Sequence, residues 1–212
     1  MDEKTAAKAL QTACTGQPAK VFRVGKEQKS EKPPKLYDLT ALQRDANRIY
    51  GYTAKQTLDY AQSLYEAKLI TYPRTDSRYL TDDMGDTAAT VVALCIGNLP
   101  LGTLELQSDP TQIMDSSKVT DHHAIIPTVQ IANVDLAALP AGEKNLLILI
   151  GTRLLCAVGA PCLTEQTEVE LLCSGYPFKA RGTHIVQEGW KSVDKAFRAT
   201  LKRKPEEDET EA

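Results

Sequence analysis

What this 212-residue sequence lacks narrows its class. It has no long apolar run. The longest, Leu146-Leu147-Ile148-Leu149-Ile150, is far too short to span a bilayer, so no membrane partner is expected. It has no CxxC pair. Its five cysteines, Cys14, Cys95, Cys156, Cys162 and Cys173, are scattered and odd in number, which argues against a zinc site and for buried reduced thiols. The start, Met1-Asp2-Glu3-Lys4, is polar and shows no secretory pattern, so a cytoplasmic location is the default expectation. No internal repeat is visible. Nor is there an excess of basic residues, the formal net charge being −3. That sign comes from residues 205–212, which hold five acids and no base, so the body before them carries +2. A weakly positive body does not argue for nucleic acid, but the objection to it falls away.

What is present is ordinary for a soluble globular protein: 42% hydrophobic and 25% charged residues, enough chain for one or two cored domains. Ala6, Ala7, Leu10 and Cys14 predict a helix over 2–14, and Ala19 to Val24 alternates like a short strand. Residues 25–34 read as a charged linker closed by Pro33-Pro34. Asp38 or Thr40 can cap a helix carrying Leu39, Leu42, Ala46, Ile49 and Tyr50, which Gly51 stops. Thr53 with Gln56 is a capping-box pattern for the next helix, whose apolar face reads Ala54, Leu58, Ala61, Leu64 and Tyr65. The pair is either a helix-turn-helix-like unit or a plain helical hairpin. A helix is predicted over 81–95, irregular chain over 97–120, and a strong helical region over 135–158 divided by Pro140 and Gly142. Thr164 to Cys173 and Pro177 to Ile185 read as paired strands around Ser174-Gly175. Strand texture before and after a helical stretch predicts a discontinuous β domain with a helical insertion.

The chemistry concentrates in Ile70-Thr71-Tyr72-Pro73-Arg74-Thr75-Asp76-Ser77. A phenol with a pKa of about 10 is a weak nucleophile unless a cation stabilises its anion and the phosphate it attacks. Arg74 stands two residues from Tyr72, and in extended chain such residues share a face. Its planar fork suits two phosphate oxygens. Taken alone, Tyr-x-Arg is far more often a surface loop with a packed tyrosine.

Three ordered blocks change that. Tyr72-Pro73-Arg74-Thr75-Asp76-Ser77 resembles the Tyr-x-Arg-Thr-Asp-Ser signature of type IA DNA topoisomerases. Asp121-His122-His123-Ala124-Ile125-Ile126-Pro127-Thr128 is similar to their His-x-Ala-Ile-x-Pro-Thr block. Pro33-Pro34-Lys35-Leu36-Tyr37-Asp38-Leu39-Thr40-Ala41-Leu42-Gln43 resembles the approach to the first, and with the double histidine it looks like the topoisomerase III branch.

The resemblance implies that Tyr72 is the nucleophile and Arg74 the residue that holds the scissile phosphate. It implies a DNA-binding role for His122. Thr75, Asp76 and Ser77 match the motif and are candidates for DNA contact or for fixing turns. Lys118 is a candidate phosphate contact or a solvated lysine. The implied fold class is α+β. A mainly helical catalytic domain, with its helix-turn-helix-like unit, is inserted into a discontinuous small β domain, the family's arch. The expected boundaries are 1–34 for the first arch piece, 35–159 for the helical domain, 160–198 for the second arch piece and 199–212 for a charged, disordered tail. The family's Mg²⁺ sits on a TOPRIM domain with a Glu and an Asp-x-Asp cluster. Nothing before Tyr72 matches it, so the chain reads as a fragment with no metal ligands of its own, inactive alone. The implied partner is single-stranded DNA, with a monomeric, nucleoid-associated parent enzyme. The competing reading is a non-catalytic DNA-binding module built on the helix pair.

Overall fold

The protein, seen in a computed structural model, is described over residues 3–202. It is α+β, with six helices and one three-stranded antiparallel sheet among the described residues. It divides into two units, one comprising residues up to Glu31 with Cys162–Glu188, the other Lys32–Pro161 with the residues from Gly189 onward.

The first unit holds α1 (Glu3–Cys14), β1 (Ala19–Glu31), β2 (Cys162–Cys173) and β3 (Tyr176–Gln187). The strands run in the order β1-β2-β3, so the early strand and the late pair share one sheet. β2 and β3 join through Ser174 and Gly175, whose φ angles of 50° and 83° are those of a tight two-residue hairpin turn. Ser174 Oγ donates to the Ala13 carbonyl at 2.9 Å and ties α1 to that turn. β1 is longer than the sequence suggests. Gly25–Glu31, expected to be linker, stays paired with β2 down to Glu31 opposite Cys162. Its exposed charges are those of an edge strand, and Lys26 meets Glu165 at 2.9 Å. On β2 and β3, Glu170 pairs with Lys179 and Glu168 with Arg181, each at 2.6 Å. Such solvated pairs contribute roughly 0–1 kcal/mol each and act mainly on register.

The second unit is built around α5 (Ala141–Val158). Nearly every residue of α5 from Leu146 on is buried, as a helix apolar all round requires. Against it pack α2 (Leu39–Tyr50), α3 (Ala54–Glu66), α4 (Gly85–Asn98) and α6 (Lys191–Lys202). Leu36, Leu42, Leu64, Ile70, Leu80, Ile125 and Ile131 complete the core, each fully buried side chain contributing roughly 1.5–3 kcal/mol. Caps set the ends of the helix pair. Asp38 accepts from Ala41 N–H at the start of α2, Gly51 closes it at φ 74°, and Thr53 and Gln56 form the reciprocal capping box of α3.

Three further expectations change. Residues 191–202, assigned to the β piece and the tail, form α6, whose Val193 and Phe197 are buried with the helical unit. Residues 203–212 of the expected tail lie outside the described residues. Residues 135–139, expected to be a short first helical piece, hold a turn and a bend, and α5 begins at Ala141. On α3, Ala54 and Tyr65 are exposed, and Thr57 takes the buried position with its hydroxyl given to the Thr53 carbonyl. No helix among the described residues is long and apolar enough to cross a membrane.

Candidate active site

The three blocks singled out in the sequence meet in the helical unit. Tyr37 pairs with Ile125 and Ile70 with Pro127 as isolated antiparallel bridges, which stitches residues 36–38, 69–80 and 122–128 together. Thr71 N–H donates to the Ile126 carbonyl, and Thr71 Oγ1 both donates to Ala124 O and accepts from Ile126 N–H.

The segment enters this arrangement through a sharp turn. Lys68 ends α3 in the left-handed region at φ 60°, with its N–H on Tyr65 O and the Leu69 N–H on Leu64 O. Leu64 and Leu69 are both buried, which supplies the apolar contact that accompanies such a cap. From Pro73 the chain alternates. Pro73, Thr75 and Ser77 are buried, while Arg74 and Asp76 are exposed and Tyr72 is half-buried. The period of two places Tyr72, Arg74 and Asp76 on the outward side.

The inward hydroxyls fix the segment. Thr75 Oγ1 donates to the His122 carbonyl at 2.8 Å and accepts the Ser77 N–H at 3.1 Å. Ser77 Oγ donates to the Lys118 carbonyl at 2.9 Å and accepts the Tyr79 N–H at 3.2 Å. Thr75 and Ser77 therefore act on backbone and hold the two downstream residues, His122 and Lys118, against the tyrosine segment.

The outward groups are open to solvent or half-buried. The Tyr72 ring lies between two others: His122 at 4.5 Å between centroids, tilted by 50°, and Tyr65 at 5.3 Å, edge to face. Tyr65 was read as a core residue because its helical spacing matched the apolar face. Its position as the penultimate residue of α3 is the signal in the sequence that it reaches the site. Among the described residues, no side-chain hydrogen bond or ion pair engages Arg74 or Asp76, so the guanidinium is available to a ligand. Lys118 is paired with Asp115 and also lies over the Tyr79 ring, so it is not a free cation. The bond to Asp115 holds its pKa above the ordinary lysine value. His123 turns away, its Nδ1 lying 2.9 Å from the Ala124 carbonyl oxygen. No group of three or more His, Cys, Asp or Glu side chains among the described residues comes together as a metal site. The residues present do not fit the Mg²⁺ that the family resemblance implies.

The segment thus presents a half-buried phenol, an exposed guanidinium on the same side and an imidazole against the phenol. The sequence model of a family described as DNA topoisomerase matches residues 1–211. The chain belongs to the type IA DNA topoisomerases. It is 41% identical over 181 residues to DNA topoisomerase 3 of Bacillus thuringiensis (strain Al Hakam), covering 82% of this chain and 25% of the relative. It is 37% identical over 193 residues to DNA topoisomerase 3 of Bacillus licheniformis, covering 87% and 26%. In fold it is similar to full-length topoisomerase I from Thermotoga maritima, with a TM-score of 0.64 and 25% identity, over 92% of this chain and 32% of that one. The chain thus spans about a quarter of the length of the curated relatives it matches.

Proposed function

We propose that these residues supply the nucleophile of a longer type IA topoisomerase, which cuts one DNA strand reversibly at Tyr72. Tyr72 Oη attacks the phosphorus of a backbone phosphodiester. The Oη–P bond forms and the P–O3′ bond breaks, leaving a 5′-phosphotyrosyl ester. The phenol loses its proton and the departing 3′-oxygen gains one. The ester conserves the bond energy, so religation by the 3′-hydroxyl is the same step reversed and needs no nucleotide. Arg74 grips the non-bridging oxygens through two parallel N–H groups and stabilises the charge that grows on them. His122, against the Tyr72 ring, orients the phenol and meets the strand. Thr75 and Ser77 hold the segment extended so that Tyr72 and Arg74 keep one face. The observation that carries this reading is the alternation from Tyr72 to Ser77, which separates reacting groups from anchoring ones. Cleavage belongs to the longer protein, and these 212 residues alone are not expected to perform it.

The test is covalent capture. A full-length protein carrying this segment is incubated with a labelled single-stranded oligonucleotide and quenched with detergent. Label should remain attached to the protein, and Tyr72→Phe should abolish the attachment. Capture that survives Tyr72→Phe assigns the nucleophile elsewhere and leaves the helix pair as a binding module only.

A further inference from the structure

A second site lies in the helical unit, apart from the tyrosine. Lys32, Lys35 and Arg78 line an open cleft of ≈ 440 Å³ whose floor includes Pro33, Pro34 and Tyr79. None of Tyr72, Arg74 or His122 lines it. Two ammonium groups meet the Tyr79 ring, Lys35 from the cleft's lining and Lys118 from outside it. Lys35 Nζ lies 5.0 Å and Lys118 Nζ 4.7 Å from the Tyr79 centroid. The ring's negative face offsets part of their mutual repulsion, but a cation over an exposed ring gains only about 0.5–1 kcal/mol.

The charges are unevenly matched. Lys118 has Asp115. Arg78 gives its Nε–H to the Leu36 carbonyl at 3.1 Å and reaches Asp38 only at 3.8 Å. Among the described residues no carboxylate pairs with Lys32 or Lys35. The cleft therefore keeps an unmatched positive charge. Its frame is fixed in advance. Pro33 and Pro34 restrict the approach, Leu36 is fully buried, and the Tyr79 backbone is held by Ser77 Oγ and by Ala124 N–H. Hydrogen bonding to Lys35 also pulls the Tyr79 phenol below its ordinary pKa, a sign of the local positive field. Cations beside an aromatic ring suit an oxyanion with a flat group attached.

We propose that this cleft binds a backbone phosphate of single-stranded DNA, away from the bond addressed by Tyr72. The proposal rests on the topoisomerase reading for the identity of the strand, not for the presence of an anion site.

The experiment uses the 212-residue chain and a fluorescent oligo-dT, followed by anisotropy across a salt series. Each lost phosphate contact lowers the slope of log K against log salt by roughly 0.7 on a single strand. Lys32→Gln with Lys35→Gln, which removes the one phosphate contact, should lower it by about 0.7 and weaken binding on the order of tenfold at low salt. Lys8→Gln with Lys20→Gln, an equal loss of two charges on α1 and β1, should lower neither by as much. A cleft double variant no different from that control overturns the proposal, as does the absence of salt-sensitive binding by the unaltered chain. If Tyr79 ring resonances move with inorganic phosphate but not with the oligonucleotide, the strand assignment is wrong. The readout is equilibrium binding by this chain. Its failure leaves covalent capture at Tyr72 standing, and failed capture leaves this cleft standing.

Discussion

Thr75→Val isolates the anchoring half of the motif. Valine keeps the shape of threonine and removes only the hydroxyl. Two bonds go with it, the donation to His122 O at 2.8 Å and the acceptance from Ser77 N–H at 3.1 Å. Ser77 is 5% exposed, so its N–H has little access to water once orphaned. An unmet buried group costs about 1–3 kcal/mol. His122 is exposed, so solvent can reach its carbonyl more easily and that loss is smaller. The substitution should therefore destabilise the fold by roughly 2–4 kcal/mol, or on the order of 5–15 °C in Tm at this chain length. Thr75→Ser keeps both bonds and loses one methyl, which costs about 1 kcal/mol. Urea melts of the three proteins give the differences directly. Amide exchange at Ser77 reports the local effect, because the freed N–H should lose protection even where the global fold persists. Thr75→Val as stable as Thr75→Ser, with Ser77 still protected, would refute the reasoning.

Three further outcomes are expected. Asp45 and Arg153 form an ion pair with side chains 17% exposed, and both bond the buried Tyr37 hydroxyl, at 2.9 and 3.0 Å. Arg153→Met leaves Asp45 with the Tyr37 hydroxyl and with Arg48, an exposed partner at 3.0 Å, so it should cost roughly 1–3 kcal/mol, and adding Asp45→Leu should restore part of it; additive losses in a double-mutant cycle would contradict this. Gly189 sits at φ 53° and a Cβ there would run into the Ala160 and Pro161 carbonyl oxygens, so Gly189→Ala should lose roughly 2–4 kcal/mol in thermal melts, and an unchanged Tm would count against the placement of α6. Burial pushes the Cys95 and Cys156 thiols from 9.0 up to about 12. The unfolded chain loses these protons first, so stability is full below pH 9 and falls as pH rises from there toward about 12, by up to about 1.4 kcal/mol per pH unit per thiol; urea midpoints at rising pH should show this, and Cys95→Ala should remove one share.

The three blocks at 33–43, 70–77 and 121–128 were legible as motifs, and the caps at Asp38, Gly51 and Thr53 as helix boundaries. Each rests on local chemistry that a short window contains. What was not legible depends on partners far away in the chain. Gly25–Glu31 is too polar to read as a strand, and becomes one because β2 lies alongside with matching charges. Helix α6 does carry a visible pattern, Val193 with Phe197, but lysines and the acidic tail beside it hid an apolar face only two residues deep. Tyr65 shows the converse error. Helical spacing put it with the core, yet the chain reverses at Lys68 and brings Tyr72 back against its ring. The cleft at Lys35 and Tyr79 had no signal in spacing, since it joins residues from the approach segment and from beyond the tyrosine motif.

The signature Tyr-x-Arg-Thr-Asp-Ser looks chemical throughout, but its residues divide by parity. Those pointing outward are open to a ligand, whereas the hydroxyls of Thr75 and Ser77 are committed to carbonyls at His122 and Lys118. That division explains why a strand-like segment without a sheet can serve as an active-site platform. A lone extended chain has no ladder to hold it, and each unmet backbone group would cost free energy. Here Thr71, Thr75 and Ser77 replace the missing ladder with side-chain bonds, and all of them reach backbone in residues 118–126. The histidine block is therefore bound to the tyrosine block by the motif's own structural half. A change that loosens Thr75 should move His122 away from Tyr72 before it moves Tyr72 itself, because Tyr72 remains fixed on its other side by Thr71 and by the edge of Tyr65.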